Sequence, residues 1–303
     1  MTAGFDGELR PFPVPALIEG AGGRGGLLDH LRVVRGRVLE GRTAGLATGI
    51  AGFDKQTGGL QKGVHILAAP PGAGKTSLAL QLSRNAARAG ASVVYLAFDE
   101  SGDRLALKLL CGAAGKSATQ YLRGEADPDE LVPLIDKHRE TTRRVRVYLG
   151  TPSIGVDSCA AMLSEAMELD GASEGLMVVD YVQAWAARMK GSVDFRVAVT
   201  QLIGELSAAA KSTQCPIIAI AAQNRTGQNS AGMGSLRESS DLEYTADSIS
   251  FLTDDEAEQS QRQAVRRVTW AVRKNRWGST FDLPLVFDAS LGVFAEPRGP
   301  MFR

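Results

Sequence analysis

From residue 63 to residue 222 the chain alternates short apolar runs with longer segments in which apolar positions recur every three or four residues. The short runs are Val64 to Ala69, Ser92 to Phe98, Val145 to Leu149, Leu176 to Val182 and Ile217 to Ala222. They are apolar on both faces, as strands of a parallel sheet covered by helices must be. The clearest helical segment is 194–213, where Phe195, Val199, Leu202, Ile203, Leu206 and Ala210 share one face. Strand and helix in alternation predict an α/β domain with a mainly parallel central sheet flanked by helices. After residue 245 the rhythm changes. Ser248 to Thr253, Val265 to Lys274 and Phe281 to Phe287 read as strands with no helix between them, so the sheet is expected to end in C-terminal antiparallel strands.

Upstream, Leu27, Leu28, Leu31, Val34 and Val38 recur at helical spacing and predict a short amphipathic helix, which Gly36 weakens by ~1 kcal/mol. Such a stripe needs a surface, either on its own domain or on a neighbouring subunit. Residues 1–26 hold seven glycines and three prolines and predict a mobile arm. The expected organisation is therefore an arm (1–26), a linker-like helix (27–42), one large domain (43–296) and a short tail (297–303).

Composition narrows the function classes. Apolar residues make up 44% and charged residues 22% of 303 residues, an ordinary globular balance. Lys plus Arg (34) equals Asp plus Glu (34), so any site for a polyanion has to be local. The longest apolar run, residues 216–222, is far short of the ~20 a membrane helix needs. The first residues lack the basic start and apolar stretch of a secretory signal, and a cytoplasmic location without membrane contact is expected. Cys111, Cys159 and Cys215 fit neither a disulfide framework nor a zinc knuckle and read as reduced core residues. His30, His65 and His138 stand too far apart to suggest a transition-metal site.

The chemistry concentrates in APPGAGKT, Ala69 to Thr76, which follows a strand and precedes a helix. That context is what a phosphate-binding loop requires. Gly72 and Gly74 let the backbone of Pro71–Ser77 curl so that its N–H groups (Gly72, Ala73, Gly74, Lys75, Thr76, Ser77) surround a β-phosphate, and the helix dipole adds to their pull. Lys75 neutralises β/γ oxygens and Thr76 holds Mg²⁺, making ATP and Mg²⁺ the expected ligands. Ala69 stands where the pattern G-x-x-x-x-G-K-S/T begins with Gly; a small residue suffices there. Asp180 ends the run GLMVVD and is placed to support the Mg²⁺ site. Asp99 and Glu100 end the strand that follows the loop's helix, where a carboxylate can orient and deprotonate an attacking water.

These segments, with TGIAGFDKQTGGLQKG (48–63), VVYLAFDES, VVDYVQ, IIAIAAQNR (217–225), LRESSDLEYTADSISFL (236–252) and VRKNRWG (272–278), resemble in order the RecA-type ATPase core of the DnaB family of hexameric helicases over roughly residues 42–290. The resemblance implies a RecA-like P-loop fold and an ATP-hydrolysing DNA helicase or translocase acting as a homohexamer on single-stranded DNA. It makes Lys75 and Thr76 the phosphate and Mg²⁺ residues and Asp180 the Walker B acid. The catalytic acid aligns with Asp99 in one register, while the similar paired acids of KaiC allow Asp99 and Glu100; the longer Glu100 is slightly favoured. Gln223 is similar to the residue that senses the γ-phosphate. Lys274 and Arg276 match a pair that reaches the nucleotide of the adjacent subunit. Arg237, Glu238 and Ser240 match the DNA-contacting segment, with Ser240 where the family usually has Gly. The loop at 226–235 is uncharged, and Arg188 and Lys190, weaker candidates for DNA contact, read rather as a solvated loop. The family's linker helix corresponds to 27–41. Its collar domain has only the arm in its place, which points to a plasmid, phage or accessory helicase, with replication or mobile-element partners. Two other readings stay open: a KaiC-like or RadA-like ATP-dependent switch or scaffold, and an ATP-binding protein with degraded catalysis.

Overall fold

The computed structural model describes residues 20–21, 24–25, 27–151, 153–189, 194–223, 245–254 and 264–297. Contacts divide the chain into a unit ending at Ala44 and a unit from Gly45 onward. In the first, β1 (Gly20–Ala21) and β2 (Arg24–Gly25) pair antiparallel, and α1 (Leu27–Leu39) follows. The predicted stripe is exposed: Leu27, Leu28, Leu31 and Val38 are each at least two-fifths accessible, and no residue of α1 is buried.

The second unit opens with α2 (Ala51–Thr57), whose entry is organised by one carboxylate. Asp54 Oδ1 accepts from the Thr48 amide at 2.9 Å and hydroxyl at 2.7 Å, and Oδ2 accepts from the Gly49 amide at 3.0 Å. Phe53 stacks on Trp270 with centroids 4.2 Å apart. The chain then runs through β3 (Gly63–Ala69), α3 (Lys75–Arg88), β4 (Ser92–Ala97), α4 (Gly102–Ala114), α5 (Ala118–Leu122), a 3₁₀ turn at Pro128–Glu130, α6 (Leu131–Thr142) and β5 (Val145–Leu149). It continues with α7 (Val156–Asp170), β6 (Gly175–Asp180), α8 (Val182–Ala186), α9 (Phe195–Thr213), β7 (Pro216–Ala222), β8 (Ser248–Asp254), β9 (Val265–Asn275), β10 (Phe281–Asp288) and β11 (Val293–Ala295).

Nine strands form one sheet in the order β11-β10-β9-β8-β3-β7-β6-β4-β5. The six from β8 to β5 are parallel, and β9 to β11 join antiparallel, as the loss of helices after residue 245 predicts. Side chains of successive strand residues alternate between faces. Val64, Ile66 and Ala68 accordingly enter a core with α7 and α9, while Leu67, Ala69 and Tyr95 enter a second core with α2, α3 and α4. The central strands are buried on both faces, which explains their unbroken apolar sequence.

Two expected strands are shorter than their apolar runs. The run 92–98 pairs only to Ala97, and 176–182 only to Asp180. Val182 is apolar because it starts α8 with its side chain in the core, not because it is paired. The three cysteines are buried and free. His65 is structural, with Nδ1 2.7 Å from Ser248 Oγ and Nε2 2.7 Å from the Gln61 carbonyl; burial lowers its pKa. No helix among the described residues is long and apolar enough to cross a membrane.

Candidate nucleotide site

The carboxyl ends of β3, β6 and β4 meet at one edge of the sheet, where α/β folds bind ligands. At that edge β3 ends at Ala69, and a five-residue turn leads into α3 with Gly74 as its N-cap. The turn requires glycine twice. Gly72 has φ +82° and Gly74 φ +96°, values a Cβ disfavours. Beneath Gly74 lie the rings of Phe287 and Phe294, stacked 4.3 Å apart. The first-turn N–H groups of α3 have no intrahelical acceptor and carry the positive end of its dipole.

Lys75 folds back onto this loop. Its Nζ donates to the Ala69 carbonyl at 2.6 Å and the Pro70 carbonyl at 3.0 Å. Burial lowers its pKa to about 8, with the nearby Asp180 carboxylate opposing the fall. Thr76 Oγ1 donates to Asp180 Oδ2 at 2.8 Å, and the same oxygen accepts from Tyr95 Oη at 2.6 Å. Burial raises the Asp180 pKa, while the Tyr95 and Thr76 hydrogen bonds pull it down. A hydroxyl and a carboxylate side by side form the hard oxygen set that Mg²⁺ prefers, so these residues fit that ion.

Of the two candidate acids, Asp99 is exposed, whereas the Glu100 side chain is 22% exposed and held by Lys108 Nζ at 2.6 and 2.8 Å. The Glu100 charge acts on both Asp180 and Tyr95. Gln223 is buried just past β7, and its backbone N–H donates to the Ala69 carbonyl at 3.3 Å, the oxygen that also receives Lys75. Pro71, Gly72, Ala73, Gly74, Lys75, Thr76, Ser77, Asp180, Glu100 and Gln223 are thus assembled at one edge.

Lys274 and Arg276 are not among them. Lys274 Nζ donates to the Ala246 carbonyl at 2.7 Å and Arg276 Nη1 to Asp247 Oδ1 at 2.9 Å. Asp247 in turn receives the Val64 amide on Oδ2, five residues before the end of β3. Five residues of strand measure roughly 16 Å, so the pair stands at the opposite edge of the sheet from its own chain's loop. Arg237, Glu238 and Ser240, the loop at 226–235, and Lys190 lie outside the described residues. Arg188 corrects the expectation of a solvated loop. Its guanidinium donates to the Gly150 and Phe98 carbonyls, both at 2.7 Å, and lies over the Phe98 ring, tying together the chain ends after β4 and β5.

Several residues escaped the sequence reading. Tyr95 was hidden inside an apolar run, though a phenol in a strand buried on both faces signals a partner for its hydroxyl. An open cleft of about 60 Å³ continues from Ser77 past Gln81, Arg84 and Lys108 to Ser290–Gly292. Arg266, which touches the loop from β9, gave no sequence signal beyond a basic doublet.

The sheet order, the glycine turn and the Thr76–Asp180 pair define a RecA-like P-loop nucleotide-binding fold. Residues 45–296 match the family model of the DnaB-like helicase C terminal domain, and the chain belongs to that family. It is similar to the replicative DNA helicase DnaB of Geobacillus stearothermophilus, at 25% identity over 275 residues, 88% of this chain and 60% of that protein. The replicative DNA helicase DnaC of Bacillus subtilis (strain 168) is 26% identical over the same shares. The chain spans about three fifths of the length of these curated relatives. Among solved structures, one described as an ATPase domain superposes with a TM-score of 0.77 at 19% identity, covering 91% of this chain and all of that one. A DnaB-like replicative helicase described with its interactions with primase superposes at 0.75 and 20% identity, covering 88% of this chain and 68% of that one.

Proposed function

We propose that the chain hydrolyses ATP between subunits of a homohexameric ring and uses the cycle to move along single-stranded DNA. One observation carries this reading: the phosphate loop, Thr76, Asp180 and Glu100 meet at one edge of the sheet, while Lys274 and Arg276 stand at the other. A pair that cannot reach its own chain's nucleotide is suited to a neighbour's, as the family resemblance implies.

On nucleotide entry Lys75 exchanges the Ala69 and Pro70 carbonyls for phosphate oxygens, a trade of neutral acceptors for charged ones that favours binding. The first-turn amides of α3 and the loop amides take the β-phosphate. The cleft running from Ser77 to Gly292 receives the nucleoside. Thr76 and Asp180 would hold Mg²⁺, which would supply charge neutralisation to the phosphate chain when bound. Glu100 takes the proton from the attacking water, since its charge acts on Asp180 and its side chain is the less exposed of the two acids; Lys108 holds its carboxylate in place. Asp99, more exposed, serves as the alternative base. Gln223, whose backbone N–H shares the Ala69 carbonyl with Lys75, passes the state of the loop into the residues that follow β7, where Arg237, Glu238 and Ser240 contact DNA phosphates. Arg276 and Lys274 stabilise transition-state charge on the adjacent subunit, so an isolated chain is a poor ATPase.

ATP hydrolysis across a protein titration, with and without single-stranded DNA and with light scattering for mass, tests the proposal. Turnover per chain should rise with ring formation and again with DNA, and Arg237→Ala should remove only the second rise. Assembly-dependent turnover indifferent to DNA belongs to an ATP-driven switch instead.

A further inference from the structure

Arg266, the second residue of β9, touches the phosphate loop from outside the sequence motifs. Its Nη2 donates to the Gly72 carbonyl at 2.6 Å, its Nε to Asp254 Oδ1 at 2.8 Å, and its guanidinium lies 4.8 Å above the Phe287 ring. The side chain is only 10% exposed. Three contacts on three elements, the loop, the end of β8 and β10, fix the plane of the guanidinium.

Gly72 is the crown of the loop, exposed and at φ +82°. In a planar trans peptide the C=O and the following N–H point in opposite directions. A donor that fixes the Gly72 carbonyl outward therefore turns the Ala73 N–H toward the inside of the loop, where it makes a 3.3 Å bond to the Pro70 carbonyl. That bond is long for N–H···O and is easily exchanged for a phosphate oxygen. The Phe287 ring under the guanidinium is also one of the two rings under Gly74. The loop is thus supported below Gly74 by the aromatic pair and tied at Gly72 by the arginine that lies on that pair.

We propose that Arg266 is a positioning residue for the nucleotide: it holds the Gly72–Ala73 peptide in the orientation that presents the Ala73 amide to phosphate. This rests on the nucleotide reading of the loop. Lysine cannot replace it, because a single ammonium cannot bond Asp254 and Gly72 while lying flat on Phe287.

The test is equilibrium binding of a fluorescent ADP derivative with Mg²⁺ to the full chain, together with ATPase kinetics, for Arg266→Met, Arg266→Lys and Asp254→Asn. Both Arg266 variants should bind ADP about tenfold more weakly, the loss of one charge-assisted hydrogen bond and its preorganisation. KM should rise by a similar factor while kcat at saturating ATP stays within about twofold. Asp254→Asn keeps the Gly72 contact but loosens the anchor, so it should weaken binding in the same direction by less; it carries the test if the Arg266 variants do not fold. Wild-type affinity in Arg266→Met, or full rescue by Arg266→Lys, overturns the positioning role, the latter because charge alone then suffices. Failure of the wild-type chain to bind ADP removes the nucleotide reading itself and is distinguishable from either.

Discussion

Gly72 and Gly74 both occupy left-handed backbone in the same loop, yet the structure gives alanine a different cost at each. At Gly72 (φ +82°) an added Cβ meets nothing within 4 Å, so Gly72→Ala pays only for its backbone conformation, about 1–2 kcal/mol. At Gly74 (φ +96°) the Cβ lies 2.8 Å from Phe294 Cζ and 2.9 Å from Phe287 Cζ. Those rings are 4% and 3% exposed and stacked on each other, so neither can swing away. Gly74→Ala therefore adds an overpacking cost of about 1–3 kcal/mol to the same backbone term. For a domain of this size each kcal/mol lowers Tm by about 2 °C. Thermal unfolding without nucleotide should then show a fall of about 2–4 °C for Gly72→Ala and about 4–10 °C for Gly74→Ala. Phe294→Leu, which removes the nearer ring edge, should recover part of the Gly74→Ala loss, giving a coupling of about 1 kcal/mol in a double-mutant cycle. Equal shifts for the two glycines, or strict additivity with Phe294→Leu, would refute the argument that the aromatic pair supports the loop.

Two further predictions concern the stability of the sheet edge and the division of the site between copies. Asp170, whose side chain is 2% exposed, is held down at about 2 by the Arg146 guanidinium and by the Ser92 hydroxyl, against an ordinary value of 3.8. A carboxylate whose folded pKa lies below its unfolded one contributes stability that is complete above about pH 4 and is lost as pH falls through about 2. Asp170→Asn should therefore be destabilised by about 2 kcal/mol at pH 7, and its gap to the wild type should close between about pH 4 and about pH 2; a gap independent of pH counts against the pairing. Lys75→Ala and Arg276→Ala should each be nearly inactive in ATP hydrolysis. Mixing them should restore roughly a quarter of the wild-type rate at equal amounts, because about one interface in four then joins an intact loop to an intact arginine. No recovery at any mixing ratio would mean that Arg276 does not act on a neighbour.

Much of the candidate site was legible from sequence because its residues are local along the chain. Gly72, Gly74, Lys75 and Thr76 lie within five residues, and the turn they form is dictated by backbone sterics and by the helix that starts at Lys75. The strands were legible because a parallel sheet covered on both faces requires unbroken apolar runs, and Asp180 stood out as the charge that ends one. The sheet order, by contrast, was not readable: nothing in the expected strand at 248–253 says that it lies beside β3 rather than at an edge. Nor did the sequence separate Asp99 from Glu100, since adjacent residues differ only in which way the backbone turns them, and Lys108 on α4 receives one of them. The remaining partners are distant in sequence. Tyr95 reaches Asp180 across 85 residues, and Arg266 reaches Gly72 across 194. Periodicity reports which face of an element is buried, and spacing reports chemistry confined to one turn. Which polar group meets which across the sheet is decided only when the strands are ordered, because that ordering alone brings their carboxyl ends to one edge and leaves Lys274 and Arg276 at the other.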